Sequence, residues 1–486
     1  MLKGIVAHTF YFYDLETSGF SARDARIMQF AGQRTDENLR PIGEPHNILI
    51  KITPDVLPDP QAILVTEITP QKTLQDGITE AEFLKVFHSE IATPQTIFVG
   101  FNSVRFDDEF IRFTNYRNFY DAYEWQWQDG RSRWDIMDLS RITRALRPEG
   151  INWPFGPDGR PVNRLEPIAA LNNIEHEHAH DALSDVMATI AVAKLIKDKQ
   201  PKLFDFMLSM RDKKEVQKIT GSGQPFVYCS GRYSSEFEKT TVVTSVALHP
   251  TQAGSVYVYD LRVDPTPFLE MKPEELAELL KKWKFEEGEL RLPVKQLQFN
   301  KCPAVAPIQV LDVGDTKERL KINDVEIAEN LARLRASKDF GDKLQEAVRM
   351  NEKLKQASFI TDVQDVDAQL YDGFFGDGDK AKIAKVRSLD ENGLADLHLD
   401  FSDDRLEQLL LLYKARQFPK SLSETEQAAW EEYRTRRLFA GEQESRYAKY
   451  LQKIQELSVL PTTTDSQRYI LEELSLYAQS IAPYAD

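Results

Sequence analysis

Along the first two hundred positions, apolar residues recur with two spacings, period two and period near 3.6, which mark strands and helices respectively. "HTFYFYDLE" and "RIMQFAGQRTD" are short runs of aromatic and apolar residues and predict strands, as does "NILIKI". Thr79 and Glu82 in "ITEAEFLKVFHSEIA" form a capping box that predicts the start of an amphipathic helix. "PQTIFVGFNS" reads as a short apolar strand, and "RFDDEFIRFTNYRNF" has helical spacing. "HDALSDVMATIAVAKLIKDK" predicts a long helix, apolar over much of its surface, and "QPKLF" closes the unit. Strands and helices in this mixture predict an α/β domain built on one central sheet.

The pattern then changes twice. "PFVYCSGRY", "TTVVTSVALHP" and "GSVYVYDLRV" are β-branched and aromatic runs separated by turns, as expected of a small barrel or sandwich. A helix beginning at Pro273 interrupts them. Beyond about residue 355, "DRLEQLLLLYKARQF", "TEQAAWEEYRTRRLF" and "ESRYAKYLQKIQEL" read as helices, with Pro419 and Pro461 as breaks. The predicted division is 1–199 (α/β), 200–352 (β-containing) and 353–486 (helical). A chain of 486 residues exceeds a single ordinary core, which agrees with three units. No internal repeat is evident.

Composition narrows the class. With 42% hydrophobic and 28% charged residues the chain reads as globular, and no stretch approaches the roughly 20 apolar residues of a membrane span. The two cysteines, Cys229 and Cys302, exclude a disulfide framework and a cysteine-rich zinc site, pointing to a reducing cytoplasm. A formal net charge of −16 argues on average against a polyanionic partner, although binding follows the local field. Arg131, Arg133, Arg141, Arg144 and Arg147 form a local basic cluster, whose plain reading is a solvated helix face. Without a heptad seam, a monomer is expected.

One short segment stands against the apolar pattern. In "FYDLETSGF", Asp14 and Glu16 lie two apart on a predicted strand and therefore share a face. Two carboxylates on one face repel, and a shared proton, a basic partner or a cation is the usual remedy. Further acids occur where other elements begin. Asp107 lies where a strand passes into a helix, near the sheet edge at which α/β folds bind ligands. Asp185 lies in the first turns of the long helix, five residues after His180. On a continuous helix those two would be about 140° apart, which places His180 in the preceding loop. Asp181 reads as a helix cap, and Asp108 and Glu109 as solvent-facing or paired with arginines. "DGFFGDGD" at 372–379 lacks the residue order of a calcium loop and reads as a turn.

D-x-E on the first strand, F-D before a middle helix and H-x4-D on a late helix resemble the three-part signature of the DEDDh exonucleases. "VRFDDEF", "YRNFYDAY", "SRWDIMDL", "ALRPEGINWP", "HAHDALSDV", "NKCP" and "DAQLYDGFF" extend the resemblance to the bacterial exodeoxyribonuclease I family over essentially the whole chain. That resemblance implies an α/β RNase H-like exonuclease domain with a mixed central sheet, an SH3-like domain and a C-terminal α-helical domain. These would surround a groove for single-stranded DNA that is degraded processively from its 3′ end to nucleoside 5′-monophosphates, in DNA repair and recombination.

The resemblance also implies roles. Asp14, Glu16, Asp107 and Asp185 would hold two Mg²⁺ ions, with Mn²⁺ as a substitute, and such hard oxygen donors suit those ions. His180 would be the general base, its ordinary pKa of about 6.5 lying close to working pH. Thr17 is expected at the terminal nucleotide, and Arg112, Arg141 and Arg164 at phosphates. Stacking platforms are sought among Tyr116, Tyr120, Tyr123, Trp125, Trp127 and Trp134, most of which should be core. The family docks the acidic tail of the single-stranded DNA-binding protein in a pocket at Arg147, Phe206 and Arg335, of which Arg147 and Arg335 match its basic positions. Asp312 stands where a basic residue is expected and Phe206 replaces a tyrosine, both of which weaken that match. Two other functions compete with this one, a small-RNA DEDDh ribonuclease and a non-catalytic scaffold. The extra domains disfavour the first, and five chemically competent positions disfavour the second.

Overall fold

Strands β1 (Thr9–Thr17), β2 (Ile27–Thr35), β3 (His46–Leu49), β4 (Thr96–Gly100) and β5 (Ser132–Asp135) form a sheet ordered β3-β2-β1-β4-β5 in the computed structural model. The structure describes residues 8–176, 181–282, 286, 288–359 and 365–482. β1 pairs antiparallel with β2 and parallel with β4, so the sheet is mixed and β1 lies at its centre. Central position explains the aromatic density of β1, because both of its faces are covered. Tyr11, Tyr13 and Leu15 pack with Phe30, Phe83 and Phe87 on one side. Phe10 and Phe12 pack on the other side, in the cluster that contains Val186, Ile190 and Ala193 of the Ala182–Lys199 helix.

Local signals account for the helix ends. Thr79 accepts from the Glu82 N–H and Glu82 reaches back, which completes the expected capping box. Asp181 caps the Ala182–Lys199 helix by accepting from the Ser184 N–H at 3.0 Å. Strand β5 was not legible as such, since four residues are too few to show period two. Its last residue, Asp135, caps the Ile136–Leu146 helix.

A second sheet follows. β6 (Phe226–Cys229), β7 (Thr240–Leu248), β8 (Ser255–Asp260), β9 (Val294–Gln298) and β10 (Ala304–Pro307) are antiparallel neighbours in the order β10-β6-β7-β8-β9. The helix Pro273–Lys281 interrupts it, with proline in its first turn, where the missing N–H costs nothing. The C-terminal unit consists of helices, among them Arg405–Gln417, Glu424–Phe439, Arg446–Ser458 and Asp465–Ile481. Pro419 and Pro461 follow helix ends, as read from sequence. One apolar cluster runs from the first sheet into the second, and another joins the first sheet to Leu406, Leu409 and Trp430. The three units therefore share cores rather than hanging on linkers. No helix among the described residues is long and apolar enough to cross a membrane.

Two sequence readings need correction here. The segment 372–379 is not all turn, because a helix starts at Asp377. Asp377 and Asp379 occupy its first turn, where acids complement the dipole, and Asp379 also accepts from the Ser402 and Asp403 N–H groups. The arginine cluster at 131–147 is not a solvated face. Arg133 and Arg144 are buried: Arg133 pairs with Asp108, and Arg144 binds the carbonyls of Pro154 and Val162 and the Glu238 carboxylate. A guanidinium carries five donors and is buried where acceptors surround it.

Candidate active site

The carboxylates converge where three elements end. Asp14 and Glu16 point from the last part of β1 to the side covered by the Ala182–Lys199 helix, and Asp185 sits in that helix's first turn. Carboxylate oxygens of Asp14, Glu16 and Asp185 lie within 4.8 Å of one another. Glu16 is 9% exposed and Asp107 4% exposed, while Asp14 and Asp185 are half-buried. Asp107 begins the Asp107–Arg117 helix and accepts from the Leu15 N–H of β1, which brings it beside the other three without joining their tight group.

The electrostatic state of the cluster follows from this crowding. Burial, then Asp107, Glu16 and Asp185, hold the Asp14 carboxyl well above the usual carboxylate range. Burial and then Asp185 push Glu16 up to about 8, and burial and then Asp108 push Asp107 up to about 8. The leading influences on Asp14 and Glu16 are burial and neighbouring acids, all of which raise the pKa. A hard divalent cation is the group that satisfies such a donor set.

Neighbouring residues hold the acids in place. Asp108 faces away from the cluster: it pairs with Arg133 and accepts from the Tyr13 hydroxyl at 2.5 Å. Glu109 pairs with Arg112 and Lys301 and accepts from Tyr371. Asp135 accepts from the Asn102, Val104 and Met137 N–H groups and so pins the loop ahead of Asp107. Asn102 takes a left-handed conformation, φ 71°, at the turn out of β4. Sequence reasoning missed two residues here. His176 Nε2 bonds Asp185 Oδ1, and Asp181, besides capping its helix, adds to the negative field on Asp14 and Glu16. The only hint of His176 was its place in "HEHAH", where the H-x4-D spacing points to His180 instead. His180 lies outside the described residues.

The remaining candidates are distributed as follows. Thr17 is buried, its hydroxyl donating to the Gly19 carbonyl at 2.9 Å. Arg112 is buried and bound to Glu109 and Gln126, and Arg164 is exposed just ahead of the Leu165–Leu171 helix. Arg141, paired with Asp138 at 2.8 Å, borders a cleft of about 480 Å³ that Arg105, Arg232, Lys295 and Lys301 also line. This cleft opens between the two sheets and carries positive charge despite the acidic average. Of the aromatics, Tyr116, Trp125 and Trp134 are core, Tyr120 and Tyr123 are half-buried, and Trp127 is 63% exposed. Arg147 donates to the Val310 carbonyl at 3.1 Å, Arg335 is exposed and donates to the Gly223 carbonyl, and Phe206 is half-buried. Asp312 pairs with Lys317 at 2.8 Å.

Comparison with known proteins agrees with this architecture. Residues 11–193 match an exonuclease family model, 211–349 the exonuclease I SH3-like domain, and 364–481 the exonuclease I C-terminal domain. The chain is 43% identical to exodeoxyribonuclease I of Haemophilus influenzae, over 88% of this chain and 90% of that one. It is 40% identical to exodeoxyribonuclease I of Escherichia coli, over 99% of this chain and 100% of that one. The structure of E. coli exonuclease I in complex with a dA16 oligonucleotide superposes with a TM-score of 0.92 at 39% identity, over 98% of this chain and 100% of that one. A structure described as SSB/exonuclease I in complex with an inhibitor superposes at 0.87, with 38% identity and the same coverage. Three domains in family order and a carboxylate cluster at the end of the central strand lead to one assignment: the chain belongs to the exodeoxyribonuclease I family.

Proposed function

We propose that this enzyme is a cytoplasmic, monomeric, metal-dependent exonuclease that degrades single-stranded DNA from the 3′ end. The observation that carries the reading is the convergence of Asp14, Glu16 and Asp185, with Asp107 beside them and with burial and mutual repulsion as the leading influences on Asp14 and Glu16. Asp14, Glu16, Asp107 and Asp185 would hold two Mg²⁺ ions, which supply Lewis-acid stabilisation of charge developing on the phosphodiester. His180 takes the proton of the attacking water as it adds to phosphorus and the bond to the 3′ oxygen breaks, releasing a nucleoside 5′-monophosphate. Thr17 orients the terminal nucleotide, and Arg112, Arg141 and Arg164 meet phosphates. The positive cleft beside Arg141 leads the strand to the cluster despite the net charge of −16. Family membership and the E. coli complex with dA16 support DNA as substrate. The proposed domain limits are 1–199, 200–352 and 353–486, and the proposed setting is DNA repair and recombination.

Metal dependence has a signature in stability. A carboxyl with a raised folded-state pKa binds a proton in the native state that the unfolded chain releases near pH 4. The fold therefore loses stability as pH rises from about 4 to about 8, the window between the unfolded-chain and native pKa values of Glu16 and Asp107. A cation replaces the protons. The thermal shift caused by Mg²⁺ should thus be larger near pH 8 than near pH 6, as read by calorimetry. A shift that shrinks with rising pH would contradict cation binding at these acids.

The acidic tail of the single-stranded DNA-binding protein is the proposed protein partner, a reading supported by the similar SSB/exonuclease I structure. Arg147, Phe206 and Arg335 are its proposed pocket. Lys317 pairs with both Asp312 and Asp324 at 2.8 Å, so one cation is shared by two acids and the conflict at Asp312 is only partly offset. Arg147→Ala should weaken a labelled tail peptide by roughly tenfold, the loss of one charge-assisted contact. Unchanged affinity in a fluorescence titration would remove Arg147 from the pocket.

A further inference from the structure

We propose that Asp367 of the C-terminal helical unit is a positioning residue for the active site: through Arg26 it sets the 18–26 loop that follows the carboxylate-bearing strand. This rests on the exonuclease reading of the site. The loop starts at the end of β1, directly after Glu16 and Thr17, and two hydrogen bonds close its base. The Ser18 N–H donates to the Arg26 carbonyl at 2.9 Å, and the Arg26 N–H donates to the Ser18 hydroxyl at 2.8 Å. Any displacement of Arg26 is therefore passed to Ser18 and from there to the end of β1.

The Arg26 side chain is almost wholly buried and reaches across the domain boundary to Asp367 at 2.8 Å. Asp367 in turn accepts two hydrogen bonds from Arg416, at 2.9 and 2.7 Å, and Arg416 also binds Asp55 at 2.7 Å. Arg117, Glu80, Arg437 and Asp365 extend this into a node of four arginines and four acids. Their charges balance, and Arg416 with Arg26 hold the carboxyls of Asp55 and Asp367 below the usual range against the opposing effect of burial. Such a network adds little net stability relative to apolar packing, and its documented use is to fix one arrangement of the groups it joins.

Other ties lead from the same unit to the same loop. Arg23 donates to the Ala368 carbonyl at 3.1 Å, and Arg446 pairs with Asp24 at 3.1 Å. The tip of the loop borders a cleft at the start of the Asp107–Arg117 helix. Phe20 is 75% exposed and lines a cleft of about 190 Å³ with Phe106, next to Asp107, and with Tyr371 of the C-terminal unit. The loop thus receives its anchor from the C-terminal unit and presents an aromatic ring to a cleft lined by Phe106, the residue before Asp107.

The test compares full-length Asp367→Asn with Arg434→Met. Arg434 binds Glu431 and the carbonyls of Pro54 and Ile481, and none of its hydrogen bonds or ion pairs among the described residues reaches a side chain of the node or the 18–26 loop. Hydrogen exchange in metal-free protein should quicken roughly tenfold across 18–25 in Asp367→Asn, and not in Arg434→Met at a matched loss of Tm. On single-stranded DNA with Mg²⁺, the single-turnover rate of Asp367→Asn should fall between about tenfold and a hundredfold, with half-saturation changed less than about twofold. If Asp367→Asn does not fold, Arg23→Ala leaves the node intact and should still raise loop exchange about threefold. Unchanged exchange in these loop variants, or equal losses of rate in Arg434→Met, would overturn the proposal. Exchange needs no substrate, so an inactive wild-type protein would count against the exonuclease reading and not against the anchor.

Discussion

Asp14→Asn should remove strand degradation while leaving the metal-free fold at least as stable as the wild type. Asp14 is the acid most tightly enclosed by others, with Asp107, Glu16 and Asp185 all raising its pKa after burial itself. An amide of the same shape keeps the packing and removes one member of a repelling set, so the apo protein loses a liability. The same change removes a donor from the cation site, and loss of a group that stabilises the transition state costs roughly 10³-fold in turnover. Two readouts check this: single-turnover digestion and apo thermal unfolding. The variant should also lose most of the Mg²⁺-induced thermal shift. An active Asp14→Asn, or one that unfolds well below the wild type without metal, would contradict the assignment.

His180→Ala is the second large effect. General-base catalysis contributes about 10²–10⁴-fold, so turnover should fall by that amount while Mg²⁺ affinity and strand affinity stay close to wild type. His176→Ala should differ in kind. His176 bonds Asp185 and acts through it, so its loss should weaken the cation response along with the rate. Rescue also separates the two roles: added imidazole should restore part of the rate in His180→Ala and little in His176→Ala. A His180→Ala enzyme with near-full activity would transfer the proton-taking role to another group, with His176 the first alternative.

The sequence made the chemistry of β1 legible because strand period two puts Asp14 and Glu16 on one face without any knowledge of the fold. The starts of the Asp107–Arg117 and Ala182–Lys199 helices were legible too, and helix starts next to strand ends are where α/β ligand sites form. What stayed hidden depends on partners distant in sequence. Arg26 and Asp367 are 341 positions apart, and neither stands out locally from any other charged residue. Arg144 looked like part of a solvated face because its acceptors come from the 154–162 loop and from Glu238. Asp135 carries no signal of its own in the sequence, and only the folded chain shows it pinning the loop in front of Asp107. Spacing reveals which residues share a face; it does not reveal what faces them.

Removal of one partner from the ion node should be costly, because it leaves a buried charge without compensation, at about 3–5 kcal/mol. The stability of the whole chain and the geometry of its active site are coupled at this point. Domain surgery that deletes 353–486 would therefore disturb the 18–26 loop as well as remove helices.

The central claim is that the carboxylate cluster is a cation site serving 3′-end hydrolysis. Its most direct test is digestion of single-stranded DNA, labelled at one end or the other, by wild-type protein with Mg²⁺ or with excess chelator. The account predicts stepwise release of mononucleotides from the 3′ end with Mg²⁺, and none with chelator. Release in the presence of chelator, release from the 5′ end, or no release under either condition would contradict it.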